Sequence, residues 1–103
     1  MVQYSPTVDL AFAALADPTR RAVLERLGPA SATISELAEP FGMSLTGMQK
    51  HVRLLEEANL VVTEKVGRTR TCRLVPYAFE SISTWLQRLD RFAQVVERTK
   101  GDR

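Results

Sequence analysis

The sequence predicts a mainly α-helical domain that carries one small β-hairpin, in the order α1-α2-α3-α4-β-β-α5. Three observations lead to this fold class. Apolar residues recur at helical spacing before residue 59 and after residue 76, pairs that contain Pro or Gly separate these stretches, and β-branched residues are concentrated between residues 60 and 75. With 103 residues the chain has the length of one domain, residues 1–103.

Two short helices are predicted near the start of the chain. Residues 8–16 are rich in Ala and Leu, which favour a helix. Asp17-Pro18 ends that helix and begins the next, because Asp is a good N-cap and Pro suits the first helical position. Gly28-Pro29 ends the second helix after Leu27.

A brief strand at Thr33-Ile34 and a third helix come next in the prediction. Ser35 is expected to cap this helix, which runs to about Glu39 before Pro40 and Gly42 interrupt it.

Ser44 is expected to cap a fourth helix, for which Asn59 is the predicted C-cap. Four apolar residues recur in it at spacings of three and four and are predicted to share its buried face: Leu45, Met48, Val52 and Leu55.

A β-hairpin and a long helix complete the prediction. Residues 60–63 and 70–75 are the predicted strands, and the polar segment Glu64–Thr69 is the predicted turn, with a basic tip. Pro76 is expected to begin the last helix, which runs to about Arg98. Its apolar residues follow a helical period over about 33 Å, a long span for so small a domain.

Composition excludes several classes of protein. The chain is 45% hydrophobic and 25% charged, which is typical of a folded domain, and no stretch is apolar enough to span a membrane. Residues 1–7 do not resemble a secretory signal, so a cytoplasmic protein is expected. The lone cysteine, Cys72, excludes an internal disulfide and a four-cysteine zinc site. One histidine and five glycines form no catalytic triad, P-loop or dinucleotide motif, so neither an enzyme nor a cofactor is expected.

The middle third of the chain is basic. Residues 44–75 contain six Lys or Arg and three Asp or Glu, a net charge of +3, whereas residues 1–43 carry −2. The order helix, break, capped helix, hairpin predicts a helix-turn-helix at about residues 34–58 followed by a wing at about residues 60–75. An α-helix fits the major groove of DNA, which is about 12 Å wide, so double-stranded DNA is the expected partner.

Eight residues are the predicted DNA contacts: Ser44, Thr46, Gly47, Gln49, Lys50, Arg53, Arg68 and Arg70. Gln49 and Lys50 suit base edges and Arg53 suits phosphate, while Ser44 can cap its helix and also bind phosphate. Close approach to DNA would explain Gly47, and chance explains it equally well. The two wing arginines, Arg68 and Arg70, suit phosphates or the minor groove, although any exposed turn carries charges.

The chain resembles the ArsR/SmtB family of bacterial winged-helix repressors over about residues 10–76. The matching segments are LADPTRRAVL at residues 15–24, SELA at 35–38, Met43-Ser44, KHVRLLEEANLV at 50–61, Gly67-Arg68 and residues 72–74. The resemblance implies a winged helix-turn-helix homodimer, with Ser44 to Arg53 on the helix that enters the DNA groove.

The resemblance also implies that the first and last helices, at about residues 8–16 and 77–98, form the dimer interface. Four apolar residues of these helices exceed what one small core needs and are the predicted contacts, although ordinary core packing would use some of them: Phe12, Trp85, Leu89 and Phe92. A dimer would place two reading helices about 34 Å apart, one turn of DNA, so the expected operator is an imperfect palindrome.

The metal-binding motifs of many family members are missing from this sequence. Residues 34–39 contain no cysteine and the last helix contains no histidine. The only histidine, His51, is interpreted as a packing or phosphate contact, and Cys72 as a small hydrophobic residue rather than a redox centre. The chain therefore resembles a branch without metal sites, whose inducer is often unidentified.

The leading hypothesis is a sequence-specific transcriptional regulator that represses rather than, less commonly, activates. The alternative is a winged-helix module that binds a protein and does not read DNA. The basic charge of residues 44–75 favours the first hypothesis.

Overall fold

The computed structural model describes residues 6–101, with side-chain surroundings for residues 8–80 and 82–95. It contains five α-helices and three strands within that range: α1 Pro6–Leu15, α2 Pro18–Leu27, β1 Ala32–Thr33, α3 Ile34–Ala38, α4 Leu45–Glu57, β2 Val61–Val66, β3 Thr69–Leu74 and α5 Glu80–Gly101. A single 3-10 turn, Glu39–Phe41, links α3 to α4. The predicted fold class, mainly helical with a small hairpin, is confirmed.

The cap between the first two helices is as predicted. α1 starts two residues earlier than expected, at Pro6, and ends at Leu15. Asp17 is the N-cap of α2 and its carboxylate accepts the backbone N–H of Arg20 at 3.0 Å. Pro18 follows at the first helical position and Gly28 is the C-cap.

The predicted start of the third helix is wrong, because Thr33 and not Ser35 is its N-cap. The Thr33 hydroxyl accepts the Glu36 backbone N–H at 3.1 Å, and the Glu36 carboxylate accepts the Thr33 N–H at 2.9 Å. This reciprocal pair is a capping box, which needs a Thr three residues before a Glu. The strand before it is accordingly Ala32–Thr33, one residue earlier than predicted.

The hairpin belongs to a three-stranded antiparallel sheet of order β1-β3-β2, in which Ala32 pairs with Cys72. The predicted turn was too long, since strand pairing continues to Val66↔Thr69. Gly67 adopts a left-handed φ of 62°, which allows a turn of only two residues, Gly67 and Arg68.

The last helix begins at Glu80 and not at Pro76. Residues 76–79 form turns, in which Tyr77 has a left-handed φ of 62° that interrupts a helical path. The predicted C-cap of α4, Asn59, was one position too late. Ala58 is the C-cap, and Asn59 is the residue with left-handed backbone that follows it.

The hydrophobic core lies where α2, α3 and α4 meet the sheet. Within the described residues the buried positions are all apolar or Cys, and the largest fully buried side chains are Leu37, Met48, Leu55, Leu60, Val23, Val61 and Cys72. This core fixes one face of α4 and leaves the opposite face to solvent.

Candidate nucleic-acid interface

Ser44 holds the start of α4. Its backbone is extended and its hydroxyl oxygen accepts the Gly47 backbone N–H at 3.1 Å, as expected of an N-cap. The side chain is exposed at the positive end of the helix. Its O–H proton can therefore still be donated to an anion there.

The outer face of α4 is polar and exposed. Thr46, Gln49, Lys50 and Arg53 all lie there, while Met48, Val52 and Leu55 are buried on the other side. The structure thus brings together four of the predicted contact residues on one helix of 13 residues. These side chains present hydrogen-bond donors, acceptors and two positive charges.

Leu45 does not lie on the buried face, contrary to the prediction from apolar spacing. Its side chain is 52% exposed. The residue is the first of the helix, next to the cap, where the spacing of core residues no longer applies. It adds an apolar group near the N-terminus of α4, of the kind that can contact a thymine methyl group.

Gly47 is half-buried, and its surroundings on the protein side are crowded. A Cβ atom at this position would lie 3.1 Å from Met43 Cγ and 3.3 Å from Ser44 Oγ. A side chain here would therefore press on the residue that precedes the cap. Crowding by Met43 is a third explanation for this glycine, beside close approach to DNA and chance.

The two wing arginines have different surroundings. Arg68 lies in the two-residue turn and is exposed, whereas Arg70 lies within β3, opposite Lys65. The Arg70 guanidinium donates to the Thr63 hydroxyl at 2.9 Å, and that hydroxyl donates to the Glu56 carboxylate at 2.8 Å. These hydrogen bonds hold the Arg70 side chain toward α4. Of the two arginines, only Arg68 lies at the tip of the hairpin.

A groove of about 350 Å³ separates α4 from the hairpin. It is lined by Ile34, Gln49, Val52, Arg53, Glu56, Thr63 and Arg70. Glu56 and Thr63 were not predicted as part of the site. No local signal identifies them, because strand register brings Thr63 opposite α4.

His51 belongs to a polar cluster that joins α1, α2 and α4. Arg20 donates to the carbonyl oxygens of Ala14 at 2.8 Å and Ala13 at 3.2 Å, and to His51 Nδ1 at 3.3 Å. Guanidinium groups only donate, so His51 Nδ1 is the acceptor in this contact.

Asp17 lies on the other side of the same cluster, 3.9 Å from His51 Nδ1. The Arg20 backbone N–H holds the pKa of Asp17 below its ordinary value, helped by the positive charge of Arg20. The cluster agrees with the packing interpretation of His51. It also gives the Asp17-Pro18-Thr19-Arg20 segment a structural purpose, which is to join three helices.

The four predicted dimer residues form part of an exposed apolar stripe. Phe12 of α1 contacts Trp85 of α5 edge-on, with ring centroids 5.4 Å apart. Leu89 and Phe92 continue the stripe along α5, and Phe92 is 69% exposed.

Cys72 is fully buried in β3. Burial, together with the negative charge of Glu56, raises the pKa of its thiol to about 11. Among the described residues no group of three or more His, Cys, Asp or Glu side chains is placed to hold a metal ion. Across residues 6–101, no helix has both the length and the apolar character of a membrane span.

Comparison with known proteins identifies the family. Residues 15–64 match a family model described as a helix-turn-helix domain. The HTH-type transcriptional regulator Rv2034 of Mycobacterium tuberculosis is 33% identical over 99 residues, which covers 91% of this chain and 92% of that protein. The crystal structure of the ArsR family transcriptional regulator RHA00566 has 44% identity and a TM-score of 0.82, covering 91% of this chain and 97% of that one.

This chain belongs to the ArsR family of transcriptional regulators. It is therefore a DNA-binding transcriptional regulator with a winged helix-turn-helix fold, and its family, which is not one of enzymes, agrees with the prediction of no catalytic activity. A solution structure from Mycobacterium bovis, of a homodimeric winged helix-turn-helix DNA-binding domain, has 25% identity and a TM-score of 0.64, with coverage of 95% of this chain and 91% of that one.

Proposed function

We propose that this ArsR-family regulator is a cytoplasmic repressor that binds an imperfect palindrome as a homodimer. The observation that carries the proposal is the polar, exposed face of α4, which combines Thr46, Gln49, Lys50 and Arg53 on a helix whose opposite side is anchored in the core. Such a helix can enter the major groove while its packing stays intact.

The contacts divide by chemistry. Gln49 and Lys50 are proposed to contact base edges, and Thr46 lies beside them. Arg53, Arg68 and the Ser44 hydroxyl are proposed to bind backbone phosphates. Gly47 lacks the Cβ atom that would press on Met43 and Ser44 at the start of this helix.

The homodimer is proposed to form through the apolar stripe of α1 and α5, centred on Phe12, Trp85, Leu89 and Phe92. The homodimeric relative from Mycobacterium bovis supports this assembly. Two copies related by a two-fold axis would place two α4 helices on one side of DNA, with half-sites about 34 Å apart.

The test is quantitative binding to the DNA upstream of the protein's own coding sequence. A footprint locates the protected site, and fluorescence anisotropy then measures affinity for that site and for a random duplex. Replacing Gln49 or Lys50 by Ala removes a hydrogen bond to a base edge. Each substitution is expected to weaken operator binding by about 1–3 kcal/mol, with little change on random DNA. Gln87→Ala, at an exposed position on α5, is the matched control.

Two outcomes would contradict the proposal. Unchanged operator affinity in both Gln49→Ala and Lys50→Ala would show that this face of α4 does not read the bases. Binding that does not weaken with salt would favour the protein-interaction alternative, since each phosphate contact contributes a slope of about 0.9 in log affinity against log salt.

A further inference from the structure

The groove between α4 and the hairpin contains a hydrogen-bond relay of three side chains. Glu56 Oε2 accepts the Thr63 hydroxyl at 2.8 Å and the Thr63 backbone N–H at 3.3 Å. The same Thr63 oxygen accepts from Arg70 Nη1 at 2.9 Å. One carboxylate of the reading helix therefore orients a wing arginine through a single hydroxyl.

Strand register explains why these residues meet. Thr63 is opposite Cys72 and Lys65 is opposite Arg70, so all four side chains share one face of the hairpin. This face is directed toward the body of the protein, because Cys72 is fully buried on it. Arg70 therefore extends from the inner face of the wing along the groove, and Arg53 lines the same groove from α4.

The charges in the groove favour an anion. Arg53 and Arg70 both line the groove with positive charge, and the one carboxylate that lines it, Glu56, already accepts two hydrogen bonds at Oε2. A guanidinium has five N–H donors, and the Thr63 hydroxyl occupies only one of those of Arg70. Two donors in a fork suit the oxygens of a phosphate.

We propose that Glu56 and Thr63 are positioning residues that hold Arg70 so that Arg53 and Arg70 together bind one DNA backbone phosphate in this groove. The proposal rests on the proposed function, because it concerns the same DNA-bound state. An exposed arginine samples many rotamers, and the relay removes that freedom before DNA arrives. It also fixes the wing relative to α4, since one partner lies on each element.

Thr63→Val tests the relay with a side chain of nearly the same shape that lacks the hydroxyl. It is expected to lower affinity about fivefold on operator and random duplex alike, the effect of removing one hydrogen bond. The salt slope is expected to fall by up to about 0.9, the contribution of one phosphate. Thr63→Ser restores the hydroxyl and is expected to bind within about twofold of the parent protein. Thr71→Val removes a hydroxyl from the other face of the hairpin and is expected to have no effect.

A double-mutant cycle with Arg70→Ala separates positioning from general loss of structure. If Thr63 acts through Arg70, Thr63→Val causes no further loss of affinity in the Arg70→Ala background. An equal loss in both backgrounds would overturn the proposal, as would parent-like binding by either single variant. Failure of the parent protein to prefer its operator over random DNA would instead contradict the proposed function itself.

Discussion

Asp17 stabilises the start of α2 in its ionised form. Its carboxylate accepts the Arg20 backbone N–H, and this hydrogen bond holds its pKa below the ordinary value of 3.8. Asp17→Ala is expected to lower the free energy of unfolding by about 1 kcal/mol, the usual cost of removing an N-cap. Urea unfolding of both proteins at pH 7 measures this change in the free energy of unfolding.

The pH dependence of this cap has a definite sign. Because the pKa is lower in the folded state, the stabilisation is present above the unfolded value and is lost as pH falls through the folded value. Asp17→Asn retains a cap but cannot titrate, so the stability difference between parent and Asp17→Asn is expected to shrink below about pH 4. A difference that grows as pH falls would contradict this assignment.

The thiol of Cys72 is expected to be unreactive in the folded protein. Its thiol is fully buried and its pKa is about 11, so about one molecule in a thousand carries a thiolate at pH 8. A thiol reagent such as Ellman's reagent should label the protein only after unfolding in guanidinium, and peroxide should leave DNA affinity unchanged. Rapid labelling of native protein would contradict the interpretation of Cys72 as a small hydrophobic residue.

Local chemical signals predicted two of the helix starts, whereas the equally local capping box of Thr33 and Glu36 was missed because Ser35 was taken as the cap. Asp17-Pro18 and Ser44 each start a helix as predicted, because caps depend on residues within one turn. Boundaries set by distant contacts were missed. The pairing of Ala32 with Cys72 joins segments 40 residues apart, and the short turn at Gly67 follows from pairing along the whole hairpin.

Residues of the candidate site were likewise predictable only where a pattern within one element identified them. Gln49, Lys50 and Arg53 could be placed from helical periodicity alone, since a buried stripe defines its opposite face. The roles of Glu56 and Thr63 could not, because they arise only when α4 meets β2. Leu45 was misplaced since periodicity takes no account of where a helix starts.

The position of Arg68 in the wing leads to a separate prediction about DNA binding. Arg68 lies in the exposed turn, whereas the hydrogen bond to Thr63 holds Arg70 toward α4. Arg68 is therefore expected to contact phosphate whatever the DNA sequence. Arg68→Ala should weaken binding to operator and random DNA equally and reduce the salt slope by about 0.9. Arg73→Ala, exposed on the other face of β3, is the matched control. A decrease confined to the operator would show that Arg68 reads bases.

The molecule as a whole is too extended for a single compact domain. Its radius of gyration is 17.3 Å and its longest dimension 63 Å, whereas a compact domain of 100 residues has a radius of gyration of about 13 Å. The 22-residue helix α5 spans about 33 Å and presents exposed Trp85, Leu89 and Phe92. Apolar side chains along a projecting helix are stable in water when a second copy covers them.

A charge placed within that apolar stripe should separate dimerisation from folding. Phe92→Asp is expected to give the monomer mass of 11.5 kDa in light scattering at micromolar concentration, whereas the parent protein is expected to give twice that mass. Because Phe92 is 69% exposed in one chain, the monomer should keep its helical circular dichroism. Operator affinity should fall steeply, since two half-sites must be held by one assembly. Gln87→Asp adds the same charge at an exposed position on another side of α5 and should remain dimeric. A parent protein of monomer mass, or a Phe92→Asp variant that still dimerises, would place the interface elsewhere.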